Sequence, residues 1–172
     1  MNYLCPMKNF FFAIPVILAA MISCRNDDNS IQVIDQVVNL YIDSAGIDML
    51  NSKIGGSYQS IKMNDVNGIT DTAPVSFTPK FDKDSLHYIE YIAGARRILI
   101  DSSDANEKIY ESKISLIFTT KVNDSVTSTF SDTLKLSYLS SPEIFRLEKA
   151  WYNNQLVFTK ENGKPNIIKI AK

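Results

Sequence analysis

A single histidine, His87, and two cysteines, Cys5 and Cys24, are the soft or titratable nucleophile-class side chains of this 172-residue chain. Zinc is held by sets of His, Cys and carboxylate ligands, so one histidine excludes His₂ and His₃ centres. A nucleophilic triad on His87 needs a Ser or Thr and an acid delivered by folding, since Ser85 lies too close along the same segment. No Gly-x-Ser-x-Gly, His-Glu-x-x-His or phosphate-cradling glycine loop occurs in the sequence. His87 is therefore expected to be a surface or strand histidine. Asp101, Asp104, Glu107 and Glu111 carry the hard oxygens that calcium prefers, but they lack the Asp-x-Asn-x-Asn-Gly register and read as a turn of solvated acids. Paired carboxylates for glycoside hydrolysis arise by tertiary approach, which spacing leaves open. The expectation is no catalytic residue, no cofactor and no metal.

Two other groups of residues invite covalent modification. The run Phe10–Ile22 is apolar, contains Pro15 and follows Lys8, the only charge ahead of Cys24. It is shorter than the roughly 20 residues a membrane-spanning helix needs, and reads as the core of an export signal. Translation from Met7 would give a more typical signal and the same mature chain. The Met21-Ile22-Ser23-Cys24 junction resembles the lipobox of bacterial lipoproteins. That resemblance implies residues 1–23 as signal peptide and Cys24 as the acylated first residue of an outer-membrane lipoprotein. Its rivals are an ordinary secretory signal and an uncleaved anchor. Residues 24–30 continue as Arg25-Asn26-Asp27-Asp28-Asn29-Ser30, a polar tether without an apolar residue to pack. The acidic pair resembles the surface-export signal of lipoproteins in the Bacteroidota, and a plain flexible linker is the alternative.

Five Asp-Ser/Thr-aliphatic triplets form the second group, at Asp43-Ser44-Ala45, Asp71-Thr72-Ala73, Asp84-Ser85-Leu86, Asp124-Ser125-Val126 and Asp132-Thr133-Leu134. Composition alone predicts about one. They resemble the O-glycosylation acceptor of exported Bacteroidota proteins, which implies Ser44, Thr72, Ser85 and Ser125 as candidate acceptors; Thr133 falls within a strand. The competing reading is structural, because Asp-Ser and Asp-Thr start turns through side-chain to backbone bonds.

With Cys5 in the signal and Cys24 acylated, the mature domain has no thiol, so packing alone must hold it. Without Lys8, the 18 basic side chains become 17 against 19 acidic ones, a balance that argues against a nucleic-acid surface. Arg96-Arg97, the one basic doublet, reads as a solvated strand edge.

Residues 31–172 suit one domain. In Ile109–Thr120, Tyr110, Ile114, Leu116 and Phe118 alternate with Glu111, Lys113 and Ser115; in Val126–Tyr138, Val126, Phe130, Leu134, Leu136 and Tyr138 share one side. Period two with one apolar face is the mark of antiparallel sheet, and Val122-Asn123-Asp124-Ser125 reads as the hairpin turn between them. Phe145, Leu147 and Trp151 share a face of a strand ending at an Asn153-Asn154 loop, which sets Trp151 opposite Leu156 and Lys149 opposite Phe158. Ile167–Ile170 reads as a last strand, placed at an edge by Pro165. Earlier, Ile31–Ile42 shifts face near Asp35-Gln36, which reads as a bulge with a helix as alternative; Leu86–Tyr91 and Arg96–Ile100 read as two more strands. Seven or eight strands without a convincing helix predict an all-β fold: a two-layer antiparallel sandwich, immunoglobulin-like, with a lipocalin-like barrel as competitor.

The functional expectation is a non-catalytic, lipid-anchored envelope or surface protein, a binding or structural module whose partner is an unknown protein or glycan, with the membrane reached through its lipid and no nucleic acid. It looks like the small lipoproteins abundant in the Bacteroidota, many of which carry a Trp-Tyr-Asn turn on a strand near the C-terminus, here Trp151-Tyr152-Asn153, a resemblance that implies no activity. The alternatives are a carrier of a small apolar ligand on a barrel or cupped sheet, and an envelope hydrolase using carboxylates. Tyr88, Tyr91, Tyr110 and Tyr152 read as half-buried sheet aromatics that could also face a partner.

Overall fold

Alternating apolar side chains and a near absence of helix formers in long runs leave the backbone to satisfy its hydrogen bonds between strands. The computed structural model describes residues 31–172. Cys24, the signal segment and the tether lie outside the described residues. Among the described residues twelve strands form: β1 Val33–Asp35, β2 Val38–Ser44, β3 Ile47–Asp48, β4 Tyr58–Asp65, β5 Thr78–Phe81, β6 His87–Tyr91, β7 Ile98–Asp101, β8 Lys108–Lys121, β9 Thr127–Ser140, β10 Ile144–Tyr152, β11 Gln155–Thr159 and β12 Asn166–Ala171.

They make two sheets. The first runs β1-β10-β9-β8-β4, with β11 also on β10 and β7 also on β8, and it curls into a half-barrel. Its spine is the β8–β9 hairpin, paired without slippage from Lys108↔Ser140 to Lys121↔Thr127. The turn falls at Val122–Val126, as the polar stretch predicts. The second sheet is open and runs β12-β2-β6-β5, with β3 also on β2. Pro165 precedes the edge strand β12, as expected.

The all-β reading holds, in a coarser form than sequence offered. Twelve strands replace seven or eight, because short strands share an edge in tandem. The antiparallel expectation is corrected at two places: β1 pairs β10 and β2 pairs β12 in parallel. The change of face near Asp35-Gln36 is a change of sheet, since β1 belongs to the curled sheet and β2 to the open one.

One core is filled from both sheets. Ile114, Leu116, Phe118, Leu134, Leu136, Tyr138 and Leu147 come from the curled sheet, Val38, Leu40, Ile42, Ile89, Tyr91, Ile168 and Ile170 from the open one. Each such aliphatic or aromatic side chain contributes about 1.5–3 kcal/mol by leaving water. The interior is thus occupied by side chains. Tyr91, expected to be half-buried, is 1 % exposed, and its hydroxyl accepts the Ala95 amide at 3.1 Å; burial pushes that phenol up to about 12.

Trp151 differs from its predicted place. The register shifts between Leu147 and Lys149, so Leu147 and Ala150 point inward and Trp151 points outward. There the Lys135 ammonium lies 4.0 Å from the indole centroid and 3.2 Å from Glu111. A second shift at Ala150/Trp151 moves Phe158 opposite Ala150, while Trp151 still faces Leu156. Arg97 is also corrected. Instead of a solvated edge, its guanidinium covers the Tyr138 and Phe145 rings at 4.8 and 4.6 Å and donates to Gln36 Oε1.

The β10–β11 loop has Asn153 and Asn154 at φ 46° and 68°, the two left-handed residues of a type I′ turn. A β-branched residue is strained there. Asn154→Val is expected to cost about 1–2 kcal/mol and Asn154→Gly to be neutral, read from urea unfolding midpoints.

Candidate functional site

Two constructions gather polar chemistry against apolar surface. The first is a groove on the open sheet. Its side chains come from β2, β3 and β12, from the turn that joins β5 to β6, and from the first residue of β6. Asp82 builds this turn: its Oδ1 accepts the amides of Asp84 at 2.9 Å and Leu86 at 3.0 Å, and Ser85 takes φ 61°. Asp82 Oδ2 accepts the Tyr41 hydroxyl at 3.3 Å. Tyr41 is raised above the ordinary phenol range, by burial first and then by the Asp82 carboxylate, and stacks on Tyr88 at 5.1 Å.

His87 stands at the end of the groove. Its ring Nδ1 lies 2.9 Å from Asp48 Oδ2, the same oxygen that accepts the His87 amide, while Asp48 Oδ1 accepts the Leu50 amide at 3.0 Å. A carboxylate only accepts, so it fixes the proton on Nδ1 and leaves Nε2 as the acceptor of the neutral ring. His87 is thus a strand histidine, and folding does supply it with an acid. Among the described residues no Ser or Thr hydroxyl is hydrogen-bonded to the ring. The open groove holds about 380 Å³ and is lined by Tyr41, Leu86 and Ile167 and by Asp43, Asp48, Asp82 and Asp84, with His87 and Lys169 as the basic side chains.

The second construction is an aromatic cage on the curled sheet. Phe118 and Phe130 sit opposite each other on β8 and β9, centroids 5.4 Å apart, and Tyr58 of β4 packs 4.4 Å from Phe118 and 5.9 Å from Phe130. Tyr152 of β10 supplies the fourth ring. The Lys172 ammonium lies 4.3 Å from Phe118, 4.7 Å from Phe130, 5.3 Å from Tyr58 and 5.6 Å from Tyr152. Asp132 closes the cage. Its Oδ2 takes the Lys172 ammonium at 2.5 Å and the Tyr152 hydroxyl, and its Oδ1 takes Asn153 Nδ2 at 2.7 Å. Burial would raise this carboxyl, but the hydrogen bonds from Lys172, Tyr152 and Asn153 outweigh it and hold it below its ordinary value. Burial and the Asp132 hydrogen bond together drive the Tyr152 phenol far up, so it remains a donor.

The sequence motifs do not single out Asp132 for this cage, although the strand pattern carries a signal for it. It shares the parity of Phe130, Leu134 and Leu136 on β9 and pairs with Leu116, so it puts a charge on the inward face of the strand. The other residues singled out from sequence are dispersed. Asp101 accepts the Ser103 amide, Asp104 the Asn106 amide, and Glu111 pairs with Lys135, so these acids do not converge. Among the described residues no three His, Cys, Asp or Glu side chains form a metal-holding group. Thr72, Ser85 and Ser125 are exposed; Ser44 is half-buried and donates to the Lys172 carbonyl at 3.0 Å. Comparison with family models, with known proteins and with solved structures finds no match for this chain.

Proposed function

We propose that this chain is a non-catalytic, lipid-anchored module that carries a small ligand with an apolar body and a basic head. The supporting observation is the groove of about 380 Å³ lined by Leu86 and Ile167, 49 % and 40 % exposed, and by four aspartates. Ligand sites combine apolar lining with a few placed polar groups, and the acid excess here selects a cation. The filled core directs the ligand to this outer groove and away from the space between the sheets.

Titration with a dansylated decylamine tests the reading. Saturable binding that weakens at least tenfold in Ile167→Asp supports it, and no saturable response up to the probe's solubility defeats it. A second reading, a module that binds a protein, is favoured by the edge strand β7, where Ile98, Leu99 and Ile100 are all exposed.

The anchor belongs to the proposal. Native protein is expected to begin at Cys24 and to carry acyl chains, with clickable fatty-acid label lost in Cys24→Ala. Equal label in both removes the anchor. In the same intact mass, hexose increments are expected from Thr72, Ser85 or Ser125 on exposed loops, or from the half-buried Ser44, and their absence ends the glycosylation idea.

A further inference from the structure

We infer that the cage of Tyr58, Phe118, Phe130 and Tyr152 around Asp132 is a binding site for an external primary alkylammonium, which Lys172 occupies as a tethered stand-in. The argument starts from what the cage does for a cation. Four ring faces lie within 5.6 Å of one nitrogen, and a carboxylate oxygen accepts its N–H with an N···O distance of 2.5 Å. Ring faces attract any cation, so they do not choose among alkylammonium types. Asp132 does choose, because only an ammonium with an N–H can donate to it. A primary amine fits both components and a quaternary amine only the first.

The cage is also built independently of its occupant. Phe118–Phe130, Tyr58–Phe118 and Tyr58–Phe130 contact one another, and Asp132 is held by Tyr152 and Asn153. Lys172 could leave without dismantling them. It is held from outside by weaker means: its amide donates to Asp43 O at 2.9 Å and its carbonyl accepts Ser44 Oγ at 3.0 Å. The cage has an outlet too, since Phe130 is 39 % exposed and the Lys172 side chain 21 % exposed. An empty cage would leave Asp132 an inward-facing charge without a countercharge, so departure of Lys172 creates demand for another ammonium.

The inference does not rest on the groove. Its test uses n-butylammonium, which matches the four-carbon stem and ammonium of lysine. In the wild-type protein, the ring resonances of Phe130 and Tyr152 are followed by NMR as n-butylammonium is added, with tetramethylammonium as the control. Lys172→Ala is titrated in parallel, its fold checked by circular dichroism. The expected result is saturable shifts in Lys172→Ala with an affinity at least tenfold tighter than in wild type, and at least tenfold preference for n-butylammonium over tetramethylammonium. Asp132→Asn added to Lys172→Ala is expected to remove that preference. Should Lys172→Ala not fold, saturable wild-type shifts with the same preference support the site. Absence of saturable shifts in the wild type at 100 mM n-butylammonium identifies Lys172 as a fixed structural latch and overturns the inference. Equal response to both ammonium ions overturns it as well.

Discussion

Phe118→Ala is expected to lower the free energy of unfolding by about 3–5 kcal/mol, in the range found for deleting a buried aromatic side chain. Phe118 is fully buried and touches the Tyr58 and Phe130 rings, so truncation leaves a void that two aromatic neighbours must span. It also removes the ring lying 4.3 Å from the Lys172 ammonium. Phe118→Leu keeps most of the apolar volume and loses the ring face. It is expected to cost about half as much, since near-isosteric apolar exchanges are tolerated best. Urea unfolding with a shared m-value checks both. A Phe118→Ala loss under 1 kcal/mol would mean that the rings do not form a packed unit.

Asp132→Ala is expected to cost about 2 kcal/mol. Loss of one partner of a buried ion pair costs several kcal/mol, and this pair is partly open, with side chains 15 % and 21 % exposed. The substitution strands the Lys172 ammonium and the Tyr152 hydroxyl together. A pH dependence follows. The Asp132 pKa is lowered in the folded state, so its carboxylate stabilises fully above the unfolded value near 4, and the contribution fades as pH falls through the folded value. The acid limb of the stability profile should flatten in Asp132→Asn, measured by urea unfolding between pH 2 and 7. A parallel offset at every pH would assign the acid sensitivity to other carboxylates.

Periodicity made much of this fold legible, and local irregularity hid the rest. β8 and β9 could be read because Ile114, Leu116, Phe118, Leu134, Leu136 and Tyr138 alternate for long runs without a register break. β4 could not. A bulge between Tyr58 and Ser60 puts Tyr58, Ile61 and Met63 out of simple alternation while Tyr58 and Met63 remain buried. The same device on β10 turned Trp151 outward after Leu147. Parallel pairing of β1 with β10 and of β2 with β12 joins segments more than a hundred residues apart, and carries no local trace. The site shows a similar division. Asp48 meets His87 and Lys172 meets Asp132 only through the tertiary fold, whereas the misplaced charge of Asp132 stood in the sequence as an acid among core-facing neighbours.

The two parallel ladders also set how the molecule bears mechanical load. A pull on the chain ahead of Gln32 first reaches β1, which holds to β10 over three residues and is expected to detach before the longer ladder. Slack is released, and tension passes to β2, which runs beside β12 over six residues in the same direction. Opposed forces on the start of β2 and the end of β12 load those rungs simultaneously in shear. Pulled by its two ends, the domain thus carries a short ladder in series with a longer one that is loaded in shear.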